Sequence, residues 1–391
     1  MTAGRKILVV FPHNFLERTS GVNQRYFTLV SWMKNHGFTI DLLGLRNFGS
    51  DWTTFDRQNE SGLIRNLFLY DFRLGYHRQR LTGWIGDLAG KLTGKSRVPH
   101  HRLPDYAFPG MARMFRQILQ REHYDYIVIG YVYWANLVKQ DLPGKTLRVL
   151  TIEDLISRKI RERTAESRWT DGTIREETAR VDLFDRVICL SHEELDFFAK
   201  HALSPDYFYI PVFMDRPVLQ EVPKRWDLMF IGFDNPDNIE GINWFMREVR
   251  PLLPAEVTLA VAGRVTTYVP DLPGVTRLGE IADPGEVYAQ CRFAINPLHK
   301  GTGMKVKLVE SLSYGVPVIS TTRGLCGLPP GLAGRFAVTD DPREFATIVM
   351  NFLGDTEGYA ERCREARAIF DAYFETGITG RELAKVFDTT E

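Results

Sequence analysis

The feature that most constrains the fold is a strand, polar loop, helix and strand unit that occurs twice in this chain of 391 residues. The first unit begins with the apolar run KILVVF at Lys6, and the second begins with DLMFIG at Asp227. Units of this kind build parallel sheets with helices on both faces, and their loops meet at the carboxyl edge of the sheet, where ligands bind. The repetition therefore predicts an α/β protein with two Rossmann-like domains.

Domain boundaries follow from shorter strand patterns and from a change in composition. The stretch over residues 205–226 contains four prolines and little periodicity, which is typical of an interdomain linker. We expect an N-terminal domain over residues 1–212, a C-terminal domain over 213–372 and a final helix over 373–391. Further strands are predicted at YDYIVIG, TLRVLTI and RVICLS in the first domain, and at GVTRLGEI, FAINPL and GVPVIS in the second.

The segment from about 60 to 117 departs from this alternating pattern, because it mixes aromatic residues with arginines. We interpret it as a helical insertion outside the core. Within it, AGKLTGKS at residues 89–96 fits a loose form of the phosphate-binding P-loop. A P-loop follows a strand and opens a helix, but no strand pattern precedes this run, and Pro99 and Pro104 prevent a long helix after it. The sequence therefore does not predict a nucleoside triphosphatase.

Charge and cysteine content exclude several classes of protein. Lysine plus arginine and aspartate plus glutamate number 49 each, so no global field recruits nucleic acid, and no nucleic-acid partner is expected. The four cysteines lack zinc-ligand spacing, and no Asp-x-Asp or H-E-x-x-H pattern occurs, so no metal site is predicted. No apolar run is long enough for a signal sequence or a membrane span. We expect a cytoplasmic protein, with peripheral attachment to the inner face of a membrane as the alternative.

The run GTGMKVKLVESLSYGVPVIS at residues 301–320 is the strongest candidate for a binding site. Its first glycines allow the backbone to approach a ligand closely, and residues 304–314 are predicted to form a helix that ends at Gly315. A glycine turn before a helix N-terminus is suited to an anion, and two lysines strengthen that expectation. The alternative is a solvated pair of lysines on a surface helix.

Residues 227–330 resemble the C-terminal domain of GT-B glycosyltransferases, in particular the retaining family 4, also described as glycosyl transferases group 1. The resemblance implies a GT-B fold, in which two Rossmann-like domains face each other across a cleft and the last helix crosses back to the first domain. The matching runs are FIGFDNPDNIEGINWFMREVRPLLP, TLAVAGR, VTRLGEIADPGEVYAQCRFAINPL, GTGMKVKLVESLSYGVPVIST and RGLCGLP. The first half is similar more loosely, through SGVNQRYFTLVSWMKNHGFTIDLL, TIEDL and VICLSHEE.

This resemblance implies a donor site for a nucleotide-diphosphate sugar of the UDP or GDP type, with no other cofactor. Arg264 would hold the diphosphate together with Lys305 or Lys307, and Glu310 would accept hydrogen bonds from the ribose hydroxyls. Fixed positive groups would stabilise the departing diphosphate, so no divalent metal is required. The remaining implied binding residues are Gly301, Thr302 and Gly303 for the sugar and phosphates, Gly279 and Ile281 for the base, and Gly21 of the first domain for the phosphates or sugar.

Two positions depart from the family pattern. Many relatives carry two glutamates eight positions apart; Glu310 matches the second, but the first falls on Thr302. Many relatives also have a histidine after the fifth strand of the first domain, where this chain has Glu153 and Asp154. A carboxylate there would bind the sugar or stabilise developing positive charge. Alternatively, these two residues only cap the helix that follows.

The implied activity is transfer of a sugar to an acceptor hydroxyl, with retention of configuration, in glycan or polysaccharide biosynthesis. The acceptor is a glycan, a lipid-linked sugar or another hydroxyl compound. The arginines of the insertion are expected to serve the acceptor or a membrane surface; these are Arg65, Arg73, Arg78 and Arg80. Two alternatives stay open, namely a nucleotide-sugar epimerase of the same fold and a non-catalytic partner subunit that binds nucleotide sugars.

Overall fold

The protein is described by a computed structural model that covers residues 4–18, 20–76, 103–163, 171–218, 222–301 and 303–389. Contacts divide the chain into two units, the first within residues 1–18 and 26–209, the second within 19–25 and 210–391. Thr302, the arginines at positions 78 and 80, and the P-loop-like run at 89–96 lie outside the described residues.

The first unit is built on a parallel sheet of seven strands in the order β3-β2-β1-β4-β5-β6-β7. Its inner strands are continuous apolar runs because helices cover both faces of such a sheet. The strands are β1 Lys6–Val10, β2 Thr39–Arg46, β3 Asn66–Asp71, β4 Tyr126–Gly130, β5 Leu147–Thr151, β6 Arg186–Cys189 and β7 Asp206–Tyr209. The α-helices are Gly21–Asn35, Phe55–Gln58, Pro109–Arg121, Ile156–Arg163, Asp171–Val181 and His192–His201.

The second unit contains a parallel sheet of six strands in the order β10-β9-β8-β11-β12-β13. The strands are β8 Trp226–Ile231, β9 Leu259–Ala262, β10 Val275–Gly279, β11 Cys291–Asn296, β12 Val318–Ser320 and β13 Ala337–Val338. The α-helices are Pro236–Trp244, Pro284–Gln290, Val306–Ser313, Pro342–Gly354, Thr356–Tyr373 and Thr376–Val386. The two parallel sheets confirm the expected pair of Rossmann-like units.

The predicted helix after the glycine loop is confirmed. It runs from Val306 to Ser313 and is followed by Gly315 with a positive φ of 67°. Leu308, Val309 and Leu312 turn inward at helical spacing and are buried. The glycine ends the helix because a left-handed residue closes the last turn without the clash that a Cβ would cause.

The interpretation of residues 60–117 as a helical insertion is wrong at Asn66–Asp71, which form strand β3. Residues 66–71 pair in parallel with β2 along six consecutive positions, so backbone pairing extends the sheet. The strand is only partly buried, so it lacks the apolar run that marks the inner strands. The linker assignment likewise fails at its start, because β7 pairs with β6 as the other edge strand.

Arg65 forms ion pairs with two carboxylates of the first unit. Its guanidinium donates to both carboxylate oxygens of Asp41, at 2.9 and 2.6 Å, and pairs with Glu122 at 3.0 Å. Asp41 is almost fully buried and also accepts a hydrogen bond from Tyr124 at 2.6 Å. The side chain neutralises a buried carboxylate near the start of β2 and β3, and the role of Arg65 toward an acceptor or a membrane surface stays a prediction.

Candidate active site

Four loops meet at the carboxyl edge of the second sheet. They follow β8, β9, β10 and β11, which are neighbours in the sheet. In parallel sheets this edge collects the loops that bind ligands. The loops carry most of the donor-site residues that the resemblance implies.

A strained glycine turn after β9 joins three of these loops. Gly263 has φ of 85°, and a Cβ at this position would lie 2.3 Å from the carbonyl oxygen of Gly232. Its N–H donates to the carbonyl of Gly279 at 2.7 Å, and the N–H of Val265 donates to the carbonyl of Gly232 at 3.2 Å. These bonds fix the backbone on both sides of Arg264.

Arg264 lies at the solvent side of this turn with its side chain 47% exposed. Its guanidinium is 3.2 Å from the carboxylate of Asp234, 3.9 Å from that of Glu280 and 4.6 Å from the ring centre of Phe233. These contacts orient the planar group. Because a guanidinium has five N–H donors, the two carboxylates leave donor capacity for an incoming anion.

The two lysines of the candidate run occupy different environments. Lys307 donates from Nζ to Oδ1 of Asn238 at 2.7 Å and lies 3.9 Å from the ring centre of Phe230. Burial holds the pKa of Lys307 well below its usual range, and the nearby charge of Lys305 lowers it further. Lys305 is the N-cap residue of the Val306–Ser313 helix, and its Nζ lies 3.1 Å from where a Cβ on Gly301 would stand. Lys305 therefore lies beside the glycine loop, whereas Lys307 is buried beneath it and is bonded to Asn238.

Glu310 is a partly buried carboxylate on the same helix. Its Oε2 accepts a hydrogen bond from the hydroxyl of Tyr288 at 2.9 Å, and the ring of Tyr288 stacks on Tyr314 with centres 4.8 Å apart. Removal of the carboxylate from water raises the pKa of Glu310 to about 7, although the hydrogen bond from Tyr288 and the charge of Lys307 act in the opposite direction. The group therefore titrates near neutral pH.

Three glycines at this edge have positive φ, and Gly279 has open space where its Cβ would stand. Gly301 and Gly303 have φ of 97° and 71°, conformations that favour residues without a side chain. Gly279, with φ of 67°, has no atom within 4 Å of where its Cβ would stand. Ile281 packs against the core beneath the sheet edge. Gly21 begins the Gly21–Asn35 helix, in the short segment that groups with the second unit.

The sequence interpretation missed three residues that organise the site. Asp234 orients Arg264, Asn238 holds Lys307, and Tyr288 holds Glu310. Asp234 and Asn238 lie in the polar run immediately after β8, a position that could have marked them. No sequence pattern marked Tyr288, because its partner Glu310 lies on a different helix and is brought near only by the packing of the two helices.

In the first unit, Glu153 lies at the carboxyl end of β5 and is 8% exposed. Its Oε1 accepts a hydrogen bond from Thr151 at 3.0 Å, and Thr151 in turn is bonded to the hydroxyl of Tyr26. The first two N–H groups of the helix Ile156–Arg163 donate to the carboxylate of Glu177, at 2.8 and 3.0 Å. Glu177 therefore caps the first two N–H groups of this helix, and the alternative in which Glu153 or Asp154 only caps the helix stays a prediction.

Glu194 is a further carboxylate near this edge that the sequence interpretation missed. It forms a capping box with Ser191 after β6, and its Oε2 accepts the N–H groups of Leu190 and Ser191 at 3.0 and 3.1 Å. Its Oε1 is buried with no partner among the described residues. Burial, together with the nearby charge of Asp154, raises the pKa of Glu194 to about 8. The S-x-x-E pattern of a capping box was the available signal.

Replacement of Glu194 by glutamine is expected to stabilise the protein at alkaline pH. The folded-state pKa of about 8 exceeds the usual value of 4.5, so the folded state binds this proton more tightly and stability falls as pH rises between those values. Glutamine removes the buried charge and keeps the acceptor for Leu190 and Ser191. We expect the melting temperature of Glu194→Gln to exceed that of the wild type at pH 9 by several degrees, and to differ little at pH 5.

The exposed Asp196 on the same helix supplies the control for this measurement. Asp196→Asn should leave the melting temperature unchanged at both pH values. A lower melting temperature for Glu194→Gln throughout the pH range would show that the carboxylate stabilises the fold.

Comparison with known proteins finds a family match within the second unit. Residues 225–355 match the family described as Glycosyl transferases group 1. This segment, which is less than half of the chain, is similar to the group 1 glycosyltransferase domain. The matched range includes Arg264, both lysines and Glu310.

The whole chain is similar in fold to solved glycosyltransferase structures. Anabaena HepE, solved in complex with UDP-glucose, is 15% identical, has a TM-score of 0.64, and is matched over 98% of this chain and 99% of its own. WaaG, a glycosyltransferase involved in lipopolysaccharide biosynthesis, is 13% identical, has a TM-score of 0.60, and is matched over 97% and 99%. The chain therefore has the GT-B fold, as expected from the sequence.

A curated relative from Klebsiella pneumoniae matches part of the chain. It is an uncharacterized 44.6 kDa protein in a cps region, 23% identical over 195 residues. The alignment covers 46% of this chain and 50% of the relative, which is half of its length.

Within the described residues, no helix combines the length and apolar character needed to span a bilayer. The same residues contain no group of three or more His, Cys, Asp or Glu side chains arranged to hold a metal ion.

Proposed function

We propose that this protein transfers a sugar from a UDP-sugar to the hydroxyl of a glycan acceptor in the synthesis of a surface polysaccharide. The observation that carries the proposal is that Arg264 and the glycine loop with Lys305 follow strands of one parallel sheet at its carboxyl edge, with Glu310 on the helix after that loop, in a segment that matches the family Glycosyl transferases group 1. Two relatives point the same way, since HepE was solved with UDP-glucose and WaaG takes part in lipopolysaccharide biosynthesis. The Klebsiella relative belongs to a cps region.

In this proposal the cations act on the leaving group. The bond between the anomeric carbon and the phosphate oxygen breaks, and its electron pair leaves with the diphosphate. Arg264 and Lys305 stabilise that charge, because preorganised positive groups lower the barrier where negative charge develops. Lys307 holds Asn238 and supports the loop from below. Of the two lysines, Lys305 is proposed as the phosphate ligand, since it lies beside the glycine loop whereas Lys307 is buried beneath it.

The acceptor oxygen forms the new bond to the anomeric carbon, and its proton passes to a phosphate oxygen of the departing diphosphate. Retention of configuration then requires attack on the face from which the leaving group departs. Glu153 and Asp154 supply negative charge that would stabilise positive charge on the sugar or bind its hydroxyls. In this proposal the side-chain cations supply the positive charge, so transfer requires no divalent ion.

Thermal-shift titration with UDP, GDP and ADP in the presence of EDTA tests donor binding. A ligand that binds only the folded state adds RT ln(1 + [L]/Kd), about 2.7 kcal/mol at a hundred times Kd. We expect a selective shift with UDP that is lost in Glu310→Ala and kept in Glu286→Ala, a variant of an exposed glutamate in the same unit. No shift with any nucleotide at millimolar concentration would contradict the proposal.

Product analysis separates transfer from its alternatives. Incubation with UDP-sugars and a panel of oligosaccharides should give a new glycosidic bond, and the anomeric coupling constant in its NMR spectrum reports retention or inversion. An epimerised sugar without acceptor would favour the epimerase. Tight UDP binding with no turnover on any acceptor would favour a non-catalytic subunit.

A further inference from the structure

A small cavity lies inside the second unit, between its sheet and the helix Val306–Ser313. Its volume is about 10 Å³, which is about the space that a single water molecule needs in a protein interior. Most of its lining consists of apolar residues of β8, β11, β12 and this helix. Four polar residues also line it, namely Tyr288, Asn296, Lys307 and Ser311. Apolar cavities stay empty, whereas a cavity with polar walls is suited to water.

Asn296 supplies this lining with a hydrogen-bond acceptor that has no partner. It is the last residue of β11 and is 1% exposed. Its Nδ2 donates to the carbonyl of Gly324 at 2.7 Å, and this bond sets the orientation of the amide. Its Oδ1 is buried and accepts no hydrogen bond from the part of the chain that the structure describes. A buried acceptor without a donor is unfavourable, so a donor is required beside Asn296.

Lys307 supplies the complementary hydrogen-bond donor. Its ammonium group has three N–H bonds. One of them donates to Oδ1 of Asn238 at 2.7 Å, and the ring centre of Phe230 lies 3.9 Å from Nζ. Removal of an ammonium group from water is unfavourable unless acceptors in the protein replace its hydration. The ammonium group of Lys307 therefore has donor capacity for one more acceptor.

Ser311 adds a third polar atom, one helical turn after Lys307. Its Oγ donates to the carbonyl of Lys307 at 2.7 Å, which leaves the lone pairs of Oγ to accept. A water molecule beside these groups has one acceptor position for Lys307 and two donors for Asn296 and Ser311. Three hydrogen bonds are typical of a buried water molecule. A single water therefore satisfies the acceptor of Asn296 and the donor of Lys307 together.

We propose that this cavity holds one ordered water molecule, which accepts a hydrogen bond from Lys307, donates to Asn296 and Ser311, and favours the charged form of Lys307. Asn296 and Ser311 are then positioning residues, because they act on the ammonium group through the water. The water site rests on the cavity and its lining alone. Its effect on donor binding rests on the proposed function, in which Glu310 accepts hydrogen bonds from the ribose.

The charge of Lys307 connects the water to Glu310, which lies one turn further along the helix. Burial raises the pKa of Glu310, whereas the charge of Lys307 lowers it. Loss of the water would favour the neutral form of Lys307, and the pKa of Glu310 would then rise further. The other ionisable groups near this pair come from the same helix and its ends, and from the helix Pro284–Gln290 and its N-cap; they are Lys305, Tyr314, Tyr288 and Asp283.

A crystal structure of the full-length protein, at a resolution that shows ordered water, tests the water site directly. We expect one density peak within hydrogen-bonding distance of Lys307 Nζ, Asn296 Oδ1 and Ser311 Oγ. Val318 also lines the cavity, so the methyl group added in Val318→Ile should occupy the space and remove the peak. A wild-type structure without this peak would overturn the proposal.

The affinity for UDP-glucose, measured by titration calorimetry at pH 7 and pH 9, tests the effect on Glu310. At pH 9 this carboxyl is ionised with or without the water, so Val318→Ile and Ser311→Ala should bind as tightly as the wild type. At pH 7 a higher pKa leaves less of the carboxylate form, and we expect Kd to be about threefold above the wild-type value. A defect in packing alone would weaken binding by the same factor at both pH values, and this result would contradict the positioning role.

Two matched variants control for changes in packing and in helix hydrogen bonding. Val316→Ile adds the same methyl group at a buried valine of the same core that does not line the cavity. Ser313→Ala removes a buried hydroxyl of the same helix, which donates to the carbonyl of Glu310 at 2.7 Å. Both should bind UDP-glucose as the wild type does at pH 7 and pH 9.

The outcomes separate failure of this inference from failure of the proposed function. Wild-type affinity of Val318→Ile and Ser311→Ala at pH 7 would overturn the role of the water in donor binding. If the wild-type protein does not bind UDP-glucose even at pH 9, the proposed function fails. The density in the cavity still decides the water site in that case.

Discussion

Replacement of Arg264 by alanine is expected to lower kcat/KM about a hundredfold, with little effect on stability. Loss of one preorganised group that stabilises transition-state charge costs about 3 kcal/mol in comparable cases. Arg264 is held in place by Asp234 and by the ring of Phe233, so the geometry of the charge is set before the donor arrives. Its side chain is half-exposed, and ion pairs of this kind contribute only about 0–1 kcal/mol to folding.

Two further variants serve as comparisons. One keeps the positive charge at position 264, and the other removes an exposed arginine elsewhere in the unit. Arg264→Lys keeps the charge but loses the planar fork, so an intermediate loss of kcat/KM is expected. Arg247→Ala removes an exposed arginine of the same unit that pairs with Glu248 at 2.9 Å, and it should have wild-type kinetics. Unchanged kcat/KM in Arg264→Ala would exclude a role for this side chain in transfer.

The affinity for UDP-glucose is expected to fall as pH decreases below neutrality, because in the proposed function Glu310 accepts hydrogen bonds from both ribose hydroxyls and must be ionised to do so. The pKa of Glu310 is raised to about 7, so the carboxylate is mostly charged at pH 8 and mostly protonated at pH 6. If only the charged form binds well, Kd rises about tenfold for each pH unit below the pKa. We therefore expect Kd at pH 6 to be about tenfold above Kd at pH 8.

The choice of ligand and variant isolates Glu310 in this experiment. UDP-glucose is preferable to UDP, because a terminal phosphate itself titrates near pH 6. Glu310→Gln should bind more weakly at pH 8 and show a nearly constant Kd between pH 6 and 8. A pH profile in Glu310→Gln that matches the wild type would assign the titration to another group.

The raised pKa of Glu310 also predicts that ionisation of this residue lowers the stability of the folded protein. Since the folded-state pKa exceeds the usual value of 4.5, ionisation of Glu310 makes folding less favourable as pH rises from 4.5 to about 7. Bound donor would offset this cost at neutral pH. A carboxylate kept at an unfavourable site is typical of groups that serve binding or catalysis.

Most strands and the helix at Val306–Ser313 were predictable from local pattern, because an inner parallel strand is a continuous apolar run and a glycine marks the end of a helix. The edge strands β3 and β7 were not, because they are half-buried and depend on pairing with β2 and β6. Edge strands therefore follow from tertiary contacts more than from their own residues.

The sequence by itself determined the two-unit α/β architecture and the set of candidate residues at the carboxyl edge of the second sheet. Only the tertiary structure distinguished Lys305 from Lys307, because the bond to Asn238 joins residues 69 positions apart. It also identified Glu194 as a buried carboxylate and showed that Arg65 is neutralised by Asp41. The physical reason is that charge and pKa depend on which groups surround a side chain in space, and those neighbours are distant in the sequence.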